Sequence, residues 1–272
     1  MSKNKMICYK IFRTILGPIY RLWYNPKIVG KENIPREGRF IIVGNHIHVM
    51  DQCNVVISTK RDLHYMAKKE YFDDKKVAWF FRSAGCIPVD RSKKDDAAIS
   101  SALEVLEQDE ALGLFPEGTR NMIKEERIKE LFDEYVEDNT PYEEFYKKIK
   151  KSKTSQVNYL EELMKNGAIT KDEFVDNLCT ADEFLNLMIN EKRLTRTEYF
   201  DHILLPLKFG AVSMAKKTNS VIVPFVVTGD YKFRSKNLKV TIGEPIEPIE
   251  DLEEANKHLD RVMKEMITEN YE

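Results

Sequence analysis

The chain has 272 residues, enough for one large domain or two modest ones, and its 42% hydrophobic content can fill a core. A formal net charge of -2 leaves no basic excess to neutralise phosphodiester backbones, which excludes nucleic acid as the main partner. Cys8, Cys53, Cys86 and Cys179 lack the close spacing of a metal knuckle or redox motif and read as reduced thiols of a cytosolic protein.

Residues 1–21 carry Lys3, Lys5, Lys10, Arg13 and Arg21 and no acidic residue. Basic residues interrupt the apolar run and no small-residue cleavage site follows, so no signal peptide is expected. No uncharged apolar stretch reaches 18 residues, so no ordinary transmembrane helix is expected either. Ile7, Ile11, Phe12, Ile15, Leu16, Ile19, Leu22 and Trp23 recur at three- and four-residue spacing. That pattern predicts an amphipathic helix bent near Gly17-Pro18. A helix packed on the core and an interfacial membrane anchor both fit it.

From Pro26 onward, short apolar runs lie between turns: KIVGKENIP, GRFIIVGNH, LHYMAKKE, GCIPVDR, ALGLFPEGTR, NSVIVPFVV and LKVTIGEPI. Runs that are apolar throughout suit strands covered on both faces. A helical pattern from Asp95 to Glu110 lies among them. The alternation predicts an α/β domain, with a mixed, largely parallel sheet flanked by helices. Between Met122 and Asp201 the pattern breaks into short helices with 19 acidic and 13 basic residues. LMKNGAITKDEF and LMINEKRLTRTEY form a faint repeat there, with capping-box spacing at Thr170/Glu173 and Thr195/Glu198; Thr140/Glu143 has it too. This region reads as a helical insertion at 122–203, splitting a domain of 28–121 and 204–272 that follows an N-terminal segment of 1–27.

The chemistry centres on FIIVGNHIHVMDQ, Phe40 to Gln52. His46-x-His48 after a strand has the look of a zinc-hydrolase opening, but Asp51 stands one residue late. Only His64, His202 and His258 remain to complete a dinuclear site, so no metal is expected. His46 and Asp51 form the alternative, a base and its carboxylate. Five residues of continuous helix would set them about 140° apart, so they can meet only if His46 lies before or at the first turn of a helix. Asn45 fits as the capping residue. An aspartate on one imidazole nitrogen fixes the tautomer and raises the basicity of the other, which suits removal of a proton from an alcohol. No serine or cysteine sits in a nucleophile elbow, so the alcohol is expected on the substrate. Downstream, Glu117, Gly118, Thr119 and Arg120 follow the run Leu112–Phe115, and Arg91 follows another. Arginines at strand ends beside such a pair describe a site that grips a phosphate near the hydroxyl it deprotonates.

NHIHVMD resembles the NH-x4-D motif of the glycerolipid acyltransferases, the 1-acylglycerol-3-phosphate acyltransferase family. GCIPVDR, FPEGTRN and VIVPFVV resemble that family's second, third and fourth blocks, in order. The resemblance covers about half of the chain and implies several roles. His46 would be the general base for the hydroxyl of a lysophospholipid acceptor, with Asp51 its orienting partner. Attack would fall directly on the thioester of acyl-CoA or acyl carrier protein, a co-substrate, with no cofactor and no acyl-enzyme. Arg91, Glu117 and Arg120 would bind the acceptor, Gly118 and Thr119 would shape the loop, and Pro224 would belong to the donor side or its packing. Residues 6–24 would anchor the protein, peripheral or monotopic, on the cytoplasmic face of the cell membrane. Two departures stand out, the insertion of about 80 residues after the EGTR block and the extra His48, three residues from Asp51. The insertion is expected to decorate the surface or to meet a protein partner. Other readings are an acceptor that is another lysophospholipid or an aminoacyl lipid, or a non-catalytic membrane adaptor working through the insertion.

Overall fold

The computed structural model describes residues 6–90, 92, 95–136 and 140–271. Strands form at all seven apolar runs: β1 (Lys27–Val29), β2 (Phe40–Gly44), β3 (Leu63–Lys68), β4 (Ile87–Val89), β5 (Ala111–Leu114), β6 (Val221–Thr228) and β7 (Lys239–Ile242). They make one sheet in the order β1-β7-β6-β2-β5-β3-β4. Every pairing is parallel except β6 with β7, so β1 and β7 oppose the other five. The expected mixed, largely parallel architecture is therefore present. β2 lies at the centre between β6 and β5, and Phe40 to Gly44 are buried throughout. A strand covered on both faces has no solvent side to mark with polar residues, which explains its unbroken apolar run.

The chain divides into two compact units, residues 1–118 with 207–272, and residues 119–206. The first holds the sheet, whose core includes Phe40, Ile42, Leu63, Val223, Phe225 and Val240. Helix Asp96–Glu107 packs on it and is capped by Asp95, whose side chain accepts the Ala98 N–H. Pro224 lies inside β6, and its carbonyl accepts the Gly243 N–H at 2.8 Å, just before the β7 ladder begins at Phe225–Ile242. A missing N–H is tolerated at that point.

The N-terminus is helical from Ile7 to Tyr24, with a wider π-type turn over Phe12–Leu16 just ahead of Gly17-Pro18. Proline removes an N–H and crowds the preceding turn, and the widened turn absorbs both. Tyr9 and Tyr20 are buried, whereas Ile7, Ile11, Ile15, Leu16, Ile19, Leu22 and Trp23 are exposed. Arg13 and Arg21 each reach back to the sheet unit. Arg13 bonds Asp62 at 3.0 Å and the Lys60 carbonyl at 2.7 Å, and Arg21 bonds the Ile57 carbonyl. Charge docks this helix to the sheet unit and leaves an apolar face outside. No helix of the described residues is long and apolar enough to cross a membrane.

The second unit is all helical, with Leu131, Ile149, Leu160, Phe174 and Leu185 in its core. Thr170/Glu173 and Thr195/Glu198 each form a complete capping box. Thr140/Glu143 does not, because helix Tyr142–Ile149 starts one residue later, from Pro141. Asn121 and Ser155 bond each other twice, and Ser155 Oγ donates to the Ile203 carbonyl, so the two connections of the insertion are tied together.

Candidate active site

Two neighbouring strands, β2 and β5, deliver the site at their carboxyl ends, where open α/β sheets form crevices. Gly44 ends β2. A Cβ there would lie 2.1 Å from the Phe225 ring, so only glycine lets Phe225 pack beneath the strand end. Asn45 does not cap a helix as expected. Its side chain accepts the Val227 N–H at 2.7 Å and donates to the Val227 carbonyl at 2.9 Å, continuing the ladder to β6 one residue past β2. His46 follows in the loop, and helix Asp51–Val56 begins five residues later. The helical angle therefore never separates the pair, and His46 Nδ1 lies 2.8 Å from Asp51 Oδ2.

Asp51 is fully buried, and its carboxylate is completely used. Oδ2 accepts the Ile47 N–H at 2.8 Å and the His48 N–H at 2.7 Å besides His46, while Oδ1 accepts the Tyr231 hydroxyl at 2.7 Å. A carboxylate only accepts, so the proton on His46 sits on Nδ1 and Nε2 carries the free lone pair. The His46 ring stacks on Phe115 with centroids 4.1 Å apart, and its side chain keeps 19% of its surface exposed. Imidazole direction, tautomer and access are thus all set. The His48 ring does not compete for Asp51. It stacks on Tyr231 at 4.1 Å, and its Nδ1 accepts the Met50 N–H.

Glu117 comes to the same place, though to the protein backbone. At 4% exposure, its Oε1 accepts the His46 N–H at 2.7 Å. This bond fixes the backbone of His46. Gly118 turns the chain at φ +70°, stabilised by its N–H to the Phe115 carbonyl. Lys208 closes the loop, its N–H donating to the Pro116 carbonyl at 2.9 Å while its side chain lies over Gly118. Thr119 and Arg120 open the second unit, and Arg120 is exposed. Arg91 lies outside the described residues; β4, which precedes it, is the sheet edge. Cys53 is two residues from Asp51, but burial and the aspartate charge push its thiol up to about 12, so it acts as packing. Among the described residues no group of three His, Cys, Asp or Glu side chains is arranged to hold a metal. Tyr231 and Lys208 escaped the reading of motifs. Tyr231 is 180 residues from its aspartate and carries no local mark.

Residues 25–228 match the family described as Acyltransferase, and the chain belongs to that family. Among curated proteins it is similar to the 1-acyl-sn-glycerol-3-phosphate acyltransferase of Bacillus subtilis, 33% identical over 113 residues, 41% of this chain and 57% of that protein. The enzyme of the same description from Streptococcus pneumoniae is 32% identical over 93 residues, 33% of this chain and 35% of its own. The matched region thus spans little more than half of the first relative and about a third of the second. A crystal structure of the 1-acyl-sn-glycerophosphate acyltransferase PlsC from Thermotoga maritima superposes with a TM-score of 0.56 at 19% identity, covering 99% of this chain and 83% of that one. At that identity the likeness shows the fold.

Proposed function

We propose that this protein is a membrane-surface O-acyltransferase that converts 1-acylglycerol-3-phosphate to phosphatidic acid, taking the acyl group from acyl-CoA or acyl carrier protein. The observation that carries the reading is the 2.8 Å bond from His46 to a fully buried Asp51, placed at the end of the central strand. His46 Nε2 takes the proton of the acceptor hydroxyl as its oxygen attacks the thioester carbonyl. The forming imidazolium lies against the Asp51 charge, and its proton passes to the departing thiolate. Carbon–sulfur and oxygen–hydrogen bonds break while carbon–oxygen and sulfur–hydrogen bonds form, with no acyl-enzyme. Glu117 holds the His46 backbone during this exchange. Arg120 and Arg91, by the family resemblance, hold the acceptor phosphate.

The exposed apolar face of Ile7–Tyr24 is the membrane contact, extended by Phe233, whose ring packs 4.9 Å from Trp23. With Arg13 bonded to Asp62 and Arg21 to the Ile57 carbonyl, the apolar face suits the headgroup–acyl boundary, on the cytoplasmic side.

The test is transfer by the purified protein in liposomes with labelled acyl-CoA or acyl carrier protein, lysophosphatidic acid and excess EDTA. Phosphatidic acid formed undiminished by EDTA is the expected result. Acylation of a different lysophospholipid alone would reassign the acceptor, and no transfer to any acceptor would overturn the reading.

A further inference from the structure

Behind Asp51 the hydrogen bonds continue, and each has only one possible direction. Asp51 Oδ1 can only accept, so the Tyr231 hydroxyl donates to it at 2.7 Å. With its proton spent, Tyr231 must accept from Asn54 Nδ2, which lies 2.6 Å away. That fixes the Asn54 amide, leaving Oδ1 to accept the Tyr20 hydroxyl at 2.9 Å. Tyr20 and Asn54 are both buried, at 5% and 0% exposure, so water does not substitute for these partners. Burial holds both phenols in their protonated, donating form, pushing Tyr20 and Tyr231 well above the usual tyrosine range; the Asp51 charge adds to the effect at Tyr231. Tyr20 belongs to helix Gly17–Tyr24, the last part of the N-terminal segment. The chain runs from that helix through Asn54 and Tyr231 to the carboxylate that orients His46.

We infer that Tyr20, Asn54 and Tyr231 are positioning residues of the base, through which the N-terminal helix holds the Asp51 carboxylate, and with it the His46 imidazole, in working orientation. The inference rests on His46 acting as the proposed base. It gives the N-terminal segment a part in the chemistry beyond adhesion, because undocking that helix removes the last donor of the chain. Nothing in the motif blocks assigns these three residues.

Tyr231→Phe and Tyr20→Phe delete one hydroxyl each and keep the rings. Tyr24→Phe is the matched control, since the Tyr24 ring meets Tyr231 edge-on at 5.5 Å but its hydroxyl takes no part in the three bonds. Tyr231→Phe should lower kcat about tenfold, the worth of one bond to a charged group, with KM changed less than about twofold. Its acidic limb in the pH profile of kcat/KM should move to higher pH, because a carboxylate freed of one donor holds the imidazolium more tightly. Among the described residues, Phe115 at the His46 ring and Glu117 at its amide keep their contacts in these variants.

Tyr20→Phe should act in the same direction by about threefold, and the double variant should match Tyr231→Phe alone, because residues in one network do not add. An independent readout is the Nδ1 proton and nitrogen resonance of His46 in ¹⁵N-histidine-labelled protein, which should shift in both variants and stay put in Tyr24→Phe. Additive losses with an unmoved limb and unmoved resonance would overturn the inference. The resonance decides the relay even where no acceptor is turned over, an outcome that would count against the proposed function instead.

Discussion

Asp51 and Glu161 are both buried carboxylates, one in each unit, and their donors differ in kind. Asp51 is held by two backbone amides, a phenol and an imidazole. Glu161 is held by Arg127, Lys165 and Tyr135. Burial alone would push Glu161 up, but the ammonium, guanidinium and phenol together hold it below the usual glutamate value of 4.5. Two full positive charges compensate it, so its work is to fasten helix Glu125–Tyr135 to helix Thr154–Lys165. Among the described residues the Asp51 carboxylate is met by dipoles and the imidazole and by no full positive charge, the setting that the proposed reaction needs for an imidazolium formed beside it. A buried charge points to chemistry when its neighbours solvate it without cancelling it.

Substitutions can break this contrast. Asp51→Asn should lower kcat by roughly 10³–10⁴, because an amide no longer enforces the Nδ1–H tautomer. It also sets a donor against one of four others, so chemical denaturation should register a loss of about 1–3 kcal/mol. A rate within tenfold of wild type would make Asp51 merely structural, like Glu161. Gly118→Ala should have a smaller effect. The Lys208 tip can swing away, leaving about 1 kcal/mol of backbone strain at positive φ, which disturbs Glu117 and lowers the rate about tenfold in initial-rate assays. Glu161→Gln should leave kcat unchanged and cost about 1–2 kcal/mol of unfolding free energy in the helical unit. A changed kcat would erase the distinction between the two carboxylates.

Acid gives the gentlest test. Glu161, Glu173 and Glu198 are all lowered, Glu161 by its cationic neighbours and the other two by their capping boxes. A carboxylate depressed on folding contributes stability that is fully present above its unfolded value and is lost as pH falls through its folded value. The helical unit should therefore hold its ellipticity at neutral pH and weaken below about 4.5. Glu173→Gln should flatten part of that fall.

Strands were legible because four or five apolar residues between turn signals leave little choice of structure, as in Phe40–Gly44. The meeting of His46 and Asp51 was legible from an angle, since helical spacing cannot join positions 46 and 51 unless a loop intervenes. The bond from the His46 N–H to Glu117 was not legible, because a backbone amide leaves no trace in side-chain patterns. Asn45 looked like a cap because its local preferences serve cap and ladder alike, and only β6 decided between them. Tyr231 and Tyr20 were hidden for a simpler reason. Sheet order and helix docking bring them to Asp51 and Asn54, and neither is encoded nearby.

The most direct test of the account compares wild type with His46→Ala in the same liposome assay, with matched thermal melts. At least a thousandfold loss of transfer, at unchanged melting temperature, is the result expected of a base that no neighbouring group can replace. Equal transfer by a folded His46→Ala protein would contradict the account at its centre.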